Sequence, residues 1–226
     1  MARSRDRHSF PAVINVTVLN DKAIFKELSR PQSEDLLIIH PVLDQNQVYG
    51  AKIDLRIDNE LFRLKQGIRG NLNLDDRITL NEYTDRIICP YGEEMHIIPG
   101  ELLFAYTYEF IRMPRNMLGR LEARARLAKL GLIVSSGIVD PGFSDHLLLT
   151  FFNASSFPII IRPLMRVVSL SIEMISPANT DFKDRPNPRP RLNPDNLIIS
   201  IPDYDSKVLK DFVEIKSEET VLENQK

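Results

Sequence analysis

Short apolar segments separated by proline and glycine turns run through most of the chain, and they constrain its fold more than any other feature. In residues 53–62, Ile53, Leu55 and Ile57 alternate with charged residues, the period-two pattern of a strand that buries one face and exposes the other. Further strands are predicted at residues 97–98, 102–110, 147–152, 158–162 and 166–174. Many short strands with few helices predict a mainly β fold, either a barrel or a sandwich.

Two short helices interrupt this β pattern. Asn20 or Asp21 can cap a helix over residues 22–28, whose apolar side chains share one face. A second helix is predicted over residues 123–130, which are rich in Ala, Leu, Arg and Lys, and Gly131 is placed to close it in a left-handed conformation.

The composition is that of a soluble globular protein, with 43% hydrophobic and 27% charged residues among 226. A net charge of -2 gives no field that would attract nucleic acid or an anionic membrane, and the apolar runs are too short to span a bilayer. The single cysteine, Cys89, excludes an internal disulfide and favours an inert thiol. The basic N-terminus is not followed by a long apolar stretch, so we expect no secretory signal and a cytoplasmic location.

The last fifty residues differ in composition from the rest. Five prolines between positions 177 and 194 alternate with arginines, which predicts an extended strap. A short apolar piece, residues 197–201, and an acidic tail, residues 203–226, follow. Two interpretations of the tail stay open, a solvated terminus or a partner-binding segment.

Three segments, taken together and in order, resemble the dCTP deaminase branch of the dCTP deaminase/dUTPase superfamily. The family's opening helix and its "S-x-D-L-R-L" strand resemble residues 18–24 and 49–62. Its "P-G-E-F-x-L-A-x-T-x-E" strand and "G-R-S-S-L-A-R-L-G-L" motif resemble residues 98–114 and 119–132. Its "I-D-P-G-F" turn, the following strand and "L-x-P-G-M" resemble residues 139–144, 152–153 and 161–165.

The resemblance implies a distorted β-jelly-roll that forms a homotrimer, with its sites between subunits and with dCTP or dUTP as ligand. It divides the chain into an N-terminal extension (residues 1–17), a dCTP deaminase/dUTPase-like domain (18–176) and a proline-rich strap with a charged tail (177–226). It implies no resident metal or cofactor, although Mg²⁺ can accompany a nucleoside triphosphate. We expect neither membrane nor nucleic acid as a partner.

The resemblance also places the catalytic glutamate of the deaminases, which activates water, at Thr150. A threonine hydroxyl cannot take up and release a proton as a general base near pH 7, and losing a positioned general base removes about 10²- to 10⁴-fold in rate. His146 lies on the same strand, but four residues of strand span about 13 Å, so it cannot replace the missing base. The lid that closes over the triphosphate in the family is not reproduced in residues 177–201.

The phosphate-binding motif is altered in a similar way. Arg124 is retained, but the serines become Ala125 and Arg126, and the second arginine becomes Lys129. Lysine keeps the charge but lacks the planar fork that grips an oxyanion at two points. Two interpretations of Arg124, Arg126 and Lys129 stay open: the solvated face of a helix, or a nucleotide phosphate site.

Asp140 is the remaining candidate. The resemblance implies contact with the sugar, as in the deaminases, or orientation of the attacking water, as in dUTPases. The alternative is a turn role, because Asp-Pro-Gly is a common turn sequence. The loop before it, residues 135–137, is shorter than in the deaminases, which affects base specificity.

Three hypotheses about function follow from these residues. The first is a noncatalytic, trimeric family member that binds nucleotide and acts in regulation or as a scaffold. The second is an active enzyme, either a dCTP deaminase or a dUTP diphosphatase that uses Asp140. The third is a trimerisation platform for the strap and tail.

Overall fold

A computed structural model describes residues 17–31, 35–65, 78–177 and 198–200, with side chains described outside residues 78–81 and 198–200. This part of the chain is mainly β. It contains three α-helices, α1 (Asp21–Leu28), α2 (Leu80–Tyr83) and α3 (Ala125–Lys129), and a 3-10 helix at Gln45–Gln47. Its strands are β1 (Thr17–Val18), β2 (Ile38–His40), β3 (Val48–Tyr49), β4 (Lys52–Leu64), β5 (Ile78–Thr79), β6 (Thr84–Ile88), β7 (Met95–Ile97), β8 (Leu102–Arg112), β9 (Met117–Ala123), β10 (Leu132–Val134), β11 (Gly137–Val139), β12 (Ser144–Asn153), β13 (Ile159–Ile161), β14 (Arg166–Met174) and β15 (Ile198–Ser200).

The long strands form one curled antiparallel sheet in the order β10-β12-β8-β4-β14-β9-β11. Strand β4 joins its two halves. The first part of β4 pairs with β14, with Leu55 opposite Val168, and the second part pairs with β8, with Phe62 opposite Phe104. A single thirteen-residue strand therefore fixes the two halves of the sheet relative to each other.

The core lies inside the curl of this sheet. Its members are fully buried aliphatic side chains from β4, β8, β12 and β14, among them Ile53, Leu103, Leu149 and Leu170. A smaller cluster lies on the opposite face of the sheet and is formed by Phe62, Phe104 and Tyr106; we call it the aromatic cluster. The predicted strands at 102–110, 147–152, 158–162 and 166–174 coincide with β8, β12, β13 and β14, while the one at 97–98 lies two residues earlier as β7.

The predicted exposure of one face of β4 is wrong. The alternation of Ile53, Leu55 and Ile57 is confirmed as the core face, but Asp54 and Arg56 between them are also buried. Other charged side chains cover the second face, so these residues are paired instead of solvated. The period-two pattern fixes which residues share a face, but not what covers that face.

The helix predictions hold with one shift. Asn20 caps α1, and its side chain accepts a hydrogen bond from the backbone N–H of Ala23 at 2.9 Å. The second helix begins at Ala125, because Ala123 still pairs with Val168 in the sheet. Gly131 follows this helix with a φ of 83°, the left-handed conformation predicted for it.

The apolar piece predicted at residues 197–201 contains β15, which pairs antiparallel with β5. Most of the predicted N-terminal extension, the strap and the acidic tail lie outside the described residues. In the portion that the structure describes, no helix is both long and apolar enough to cross a membrane.

Candidate functional site

Arg124 lies at the junction between β9 and α3, where the chain leaves the sheet. Its backbone N–H donates to the carbonyl of Val167 at 3.2 Å. Its guanidinium pairs with the carboxylate of Asp54, which is fully buried and also accepts a hydrogen bond from the Ser169 hydroxyl at 2.7 Å. The side chain of Arg124 is 23% exposed, so one partner holds it in place while part of it still reaches solvent.

A second arginine, Arg166, approaches the same carboxylate from β14. Its Nη1 lies 3.8 Å from Oδ2 of Asp54, the oxygen that Arg124 contacts. Its Nη2 donates to Oδ2 of Asp44 at 2.6 Å, and this hydrogen bond holds the pKa of Asp44 below its usual value. Sequence reasoning missed Arg166, because it lies outside the segments that carry the phosphate motif.

The contacts continue into the interior through Arg56, which donates to Asp44 at 2.8 Å. Glu109 accepts from the backbone N–H of Arg56 at 2.7 Å, and Gln47 donates to the same carboxylate at 2.8 Å. Burial raises the pKa of Glu109, and the hydrogen bonds from Arg56 oppose that shift. Three arginines and three acids thus alternate, in the order Arg124, Asp54, Arg166, Asp44, Arg56 and Glu109; we call them the arginine–carboxylate chain.

Arg126 and Lys129 lie on α3, close in sequence to Arg124, and both are exposed. Neither makes an ion pair with any described residue. Their positions fit both interpretations of the motif, because an exposed cation can be solvated or can bind an anion.

Thr150 lies in β12, directly opposite Phe104 of β8. Its backbone exchanges hydrogen bonds with Ser135: its N–H donates to Oγ at 3.0 Å, and its carbonyl accepts from the Ser135 N–H at 2.9 Å. Because side chains two residues apart share a face, Leu148 and Phe152 flank it. The position at which the resemblance places the family's glutamate therefore lies on an apolar face, beside the aromatic cluster.

Tyr106 is the polar member of the aromatic cluster. Its hydroxyl is buried and has no hydrogen-bond partner among the residues that the structure describes. Burial, with smaller contributions from Glu60 and Asp145, raises the pKa of Tyr106 to about 12. The hydroxyl therefore stays protonated at neutral pH.

Asp140 begins the turn after β11. The backbone N–H of Phe143 donates to the Asp140 carbonyl at 3.1 Å, and that of Gly142 donates to the Met113 carbonyl at 2.9 Å. Gly142 has a φ of 79°, as this turn requires. The backbone accounts for the turn, and both roles considered for the carboxylate stay predictions.

The candidate residues are placed in two halves of the sheet. Arg124 is held by β4 and β14, whereas Thr150 is held by β8 and β10. No hydrogen bond joins these two residues within the described ranges. His146 is near neither of their partners: its Nδ1 contacts the carbonyl of Thr107 at 2.9 Å, and its ring packs edge-on against Phe110.

Cys89 lines a surface cleft of about 460 Å³ together with Met95 and His96. Burial raises the pKa of its thiol, which fits the inert role predicted for it. The described residues contain no group of three His, Cys, Asp or Glu side chains placed to hold a metal ion.

Comparison with a solved structure identifies the class of fold. The 2'-deoxycytidine 5'-triphosphate deaminase from Agrobacterium tumefaciens superposes with a TM-score of 0.56 at 18% identity, over 70% of this chain and 48% of that one. The mainly β, dUTPase-like architecture predicted from the sequence is confirmed at the level of fold.

Sequence comparison then gives the family. A profile of dCTP deaminase-like proteins matches residues 18–175, and the chain belongs to this family. It is 30% identical to the dCTP deaminase of Colwellia psychrerythraea, over 67% of this chain and 80% of that protein. It is 31% identical to a dUMP-forming dCTP deaminase of Nanoarchaeum equitans, over 74% of this chain and 89% of that protein.

Proposed function

We propose that this chain is a noncatalytic member of the dCTP deaminase-like family that binds a deoxynucleoside triphosphate, dCTP or dUTP, as a regulatory or scaffolding homotrimer. The observation that carries the proposal is the environment of Thr150. Thr150 lies opposite Phe104 and has apolar residues on either side. The resemblance to the family places a water-activating carboxylate at this position. Losing that base raises the barrier by roughly 3–5 kcal/mol.

Two polar side chains of β8 and β12, Tyr106 and His146, do not replace the base. Tyr106, with a pKa of about 12, is a proton donor at neutral pH and cannot accept a proton from water. His146 is separated from Thr150 by four residues of strand, about 13 Å, and its Nδ1 contacts the Thr107 carbonyl. The chemistry that remains on this face is packing and hydrogen bonding.

Nucleotide binding is supported by the cations around the β9–α3 junction. Arg124 keeps the position that the resemblance assigns to phosphate binding, and Asp54 fixes its orientation. Arg126 and Lys129 add two exposed positive charges on α3, the helix that follows Arg124. An oxyanion of the triphosphate can bind to these groups without any catalytic step.

Assembly into a homotrimer is supported by the apolar surface next to Thr150. Phe152 and Ile133 face each other across β12 and β10, and both are exposed. They extend the face that carries the aromatic cluster, where the Tyr106 hydroxyl lacks a partner. A second copy of the chain would cover this surface, in keeping with the subunit-interface sites that the resemblance implies.

Proton and phosphorus NMR of dCTP, and then of dUTP, with the protein and Mg²⁺ tests the binding half of the proposal. With the wild-type protein we expect broadened nucleotide signals. Arg124→Gln should bind the nucleotide about tenfold or more weakly, since a charge-assisted hydrogen bond is removed. Arg120→Gln is the matched control, because Arg120 is exposed and pairs with Glu173 away from Asp54. Sharp signals with the wild-type protein would reject nucleotide binding.

One observation favours the alternative of an active enzyme. Asp140 is retained in a turn that backbone hydrogen bonds to Met113 hold in place. A dUTP diphosphatase could use this carboxylate to orient water. In that case Asp140→Asn would abolish release of dUMP while the assembly stays intact.

A further inference from the structure

We infer that Arg166 is a second anion-binding residue of the same site, acting beside Arg124 across the carboxylate that they share. The inference rests on the proposed nucleotide-binding function and names the part of the ligand concerned, the triphosphate. The phosphate motif of the resemblance does not include this residue.

The geometry places the two guanidinium groups next to each other. Both contact the same oxygen, Oδ2 of Asp54, Arg124 as an ion pair and Arg166 from 3.8 Å. Asp54 itself is fully buried and is held by the Ser169 hydroxyl, so it cannot turn away from either arginine. Asp54 thus holds Arg124, while Asp44 at 2.6 Å and the Asn46 carbonyl at 3.2 Å hold Arg166 beside it. The two arginine side chains are 23% and 28% exposed.

The distribution of charge along the arginine–carboxylate chain favours binding of an anion at the end formed by Arg124, Asp54 and Arg166. Asp54 is fully buried beneath Arg124 and Arg166, so its charge is separated from solvent by theirs. Lys52 adds a further positive charge: its ammonium group lies 4.9 Å from the ring centre of Tyr49, whose hydroxyl is 3.5 Å from Asp54. Two planar guanidinium groups side by side match the oxyanions of a polyphosphate.

Asp44 opposes this attraction. Its carboxylate binds both Arg166 and Arg56. Asp44 is 39% exposed, which makes it the solvent-accessible acid of the arginine–carboxylate chain. Removing its charge should therefore strengthen anion binding, whereas removing Arg166 should weaken it. These opposite signs distinguish an electrostatic role from general damage to the fold.

The test is titration of the full-length protein with inorganic triphosphate, and in parallel with dCTP, by calorimetry at low ionic strength. We expect Arg166→Gln to weaken triphosphate binding about tenfold or more, through loss of a charge-assisted contact. Asp44→Asn should strengthen it a few-fold, and added salt should reduce both differences. Arg162→Gln is the control, for which we expect unchanged triphosphate affinity, because Arg162 pairs with Glu94 on a different part of the surface.

The outcomes separate this inference from the function on which it rests. If the wild type binds dCTP in an Arg124-dependent way and Arg166→Gln binds triphosphate as tightly as wild type, the role of Arg166 is overturned and the proposed function stands. If the wild type binds neither ligand, both fail. Should Arg166→Gln not fold, Asp44→Asn decides the matter: unchanged or weaker triphosphate binding overturns the inference.

Discussion

Leu164 is the single non-glycine residue with a positive φ among those the structure describes, at 67°. It is the third residue of a turn in which the Met165 N–H donates to the Arg162 carbonyl at 3.1 Å, and Pro163 precedes it. This pattern is a type II turn, which favours glycine at that position. The family motif "L-x-P-G-M" has glycine there, so this chain carries local strain that the motif avoids.

Leu164→Gly should therefore be more stable than Leu164→Ala by about 1 kcal/mol, because only the alanine retains the β-carbon that disfavours the left-handed region. Comparing these two variants cancels the loss of the leucine side chain. Urea denaturation of both proteins gives the difference. Equal stability of the two variants would show that the turn is not strained.

The raised pKa of Tyr106 has a consequence at alkaline pH. Since its pKa of about 12 in the folded protein exceeds the ordinary value of 10, its contribution to stability is present below pH 10 and is lost as the pH rises toward 12. The loss amounts to about 2 kcal/mol. Tyr106→Phe should lose correspondingly less stability over this range in thermal melts.

Tyr91→Phe serves as the comparison for this alkaline series. Tyr91 has a similarly raised pKa of about 12, but its side chain is 53% exposed, so solvent screens the effect. We expect the alkaline loss of Tyr91→Phe to be closer to that of the wild type. Identical alkaline curves for Tyr106→Phe and the wild type would contradict the assigned environment of the phenol.

At the scale of elements, the contact between β9, β11 and β14 depends on a glycine. A β-carbon at Gly119 would lie 2.8 Å from Cδ1 of Leu170 and 3.0 Å from Cβ of Val139. Gly119→Ala should destabilise the protein by about 1–3 kcal/mol, because the strands would have to move apart.

Gly137, on the neighbouring strand, is the matched control. A β-carbon there would meet nothing within 4 Å, so Gly137→Ala should be neutral or slightly stabilising. Chemical denaturation of both variants measures the two effects. Similar losses for both would mean that the packing of β9 against β14 is looser than described.

The strands and helix ends could be predicted from the sequence, because local signals determine them. Apolar segments between turn residues located β8, β12 and β14, and the caps at Asn20 and Gly131 follow from side-chain and backbone chemistry. The start of α3 could not be located, since Ala123 is a good helix former that pairing with Val168 keeps in the sheet. Tertiary pairing overrides local propensity at that point.

The site was less predictable than the fold. Arg124 and Thr150 were found through the motifs, but the burial of Asp54 and Arg56 was not, because a charged residue in an alternating strand normally faces water. Their partners come from positions far away in sequence, Arg166 and Glu109. Whether Arg126, Lys129 and Asp140 contact a ligand stays a prediction.

At the scale of the whole molecule, the family framework and the proposed loss of catalysis belong to different parts of the fold. The curled sheet is the framework that the comparison of folds shows. The proposed loss of catalysis rests on Thr150, on the apolar face beside the aromatic cluster. A protein of this kind can keep the ability to bind and assemble while it lacks the base needed for deamination.

The most direct test of this account is to incubate dCTP with the wild-type protein and Mg²⁺ and to follow the cytosine and phosphorus signals by NMR over many hours. If the protein is noncatalytic, the dCTP signals will be broadened by binding and dCTP will stay chemically unchanged. Appearance of dUTP would show that another group activates water in place of the missing glutamate. Appearance of dUMP would show in addition that the phosphate chain is cleaved, and either product would contradict a noncatalytic role.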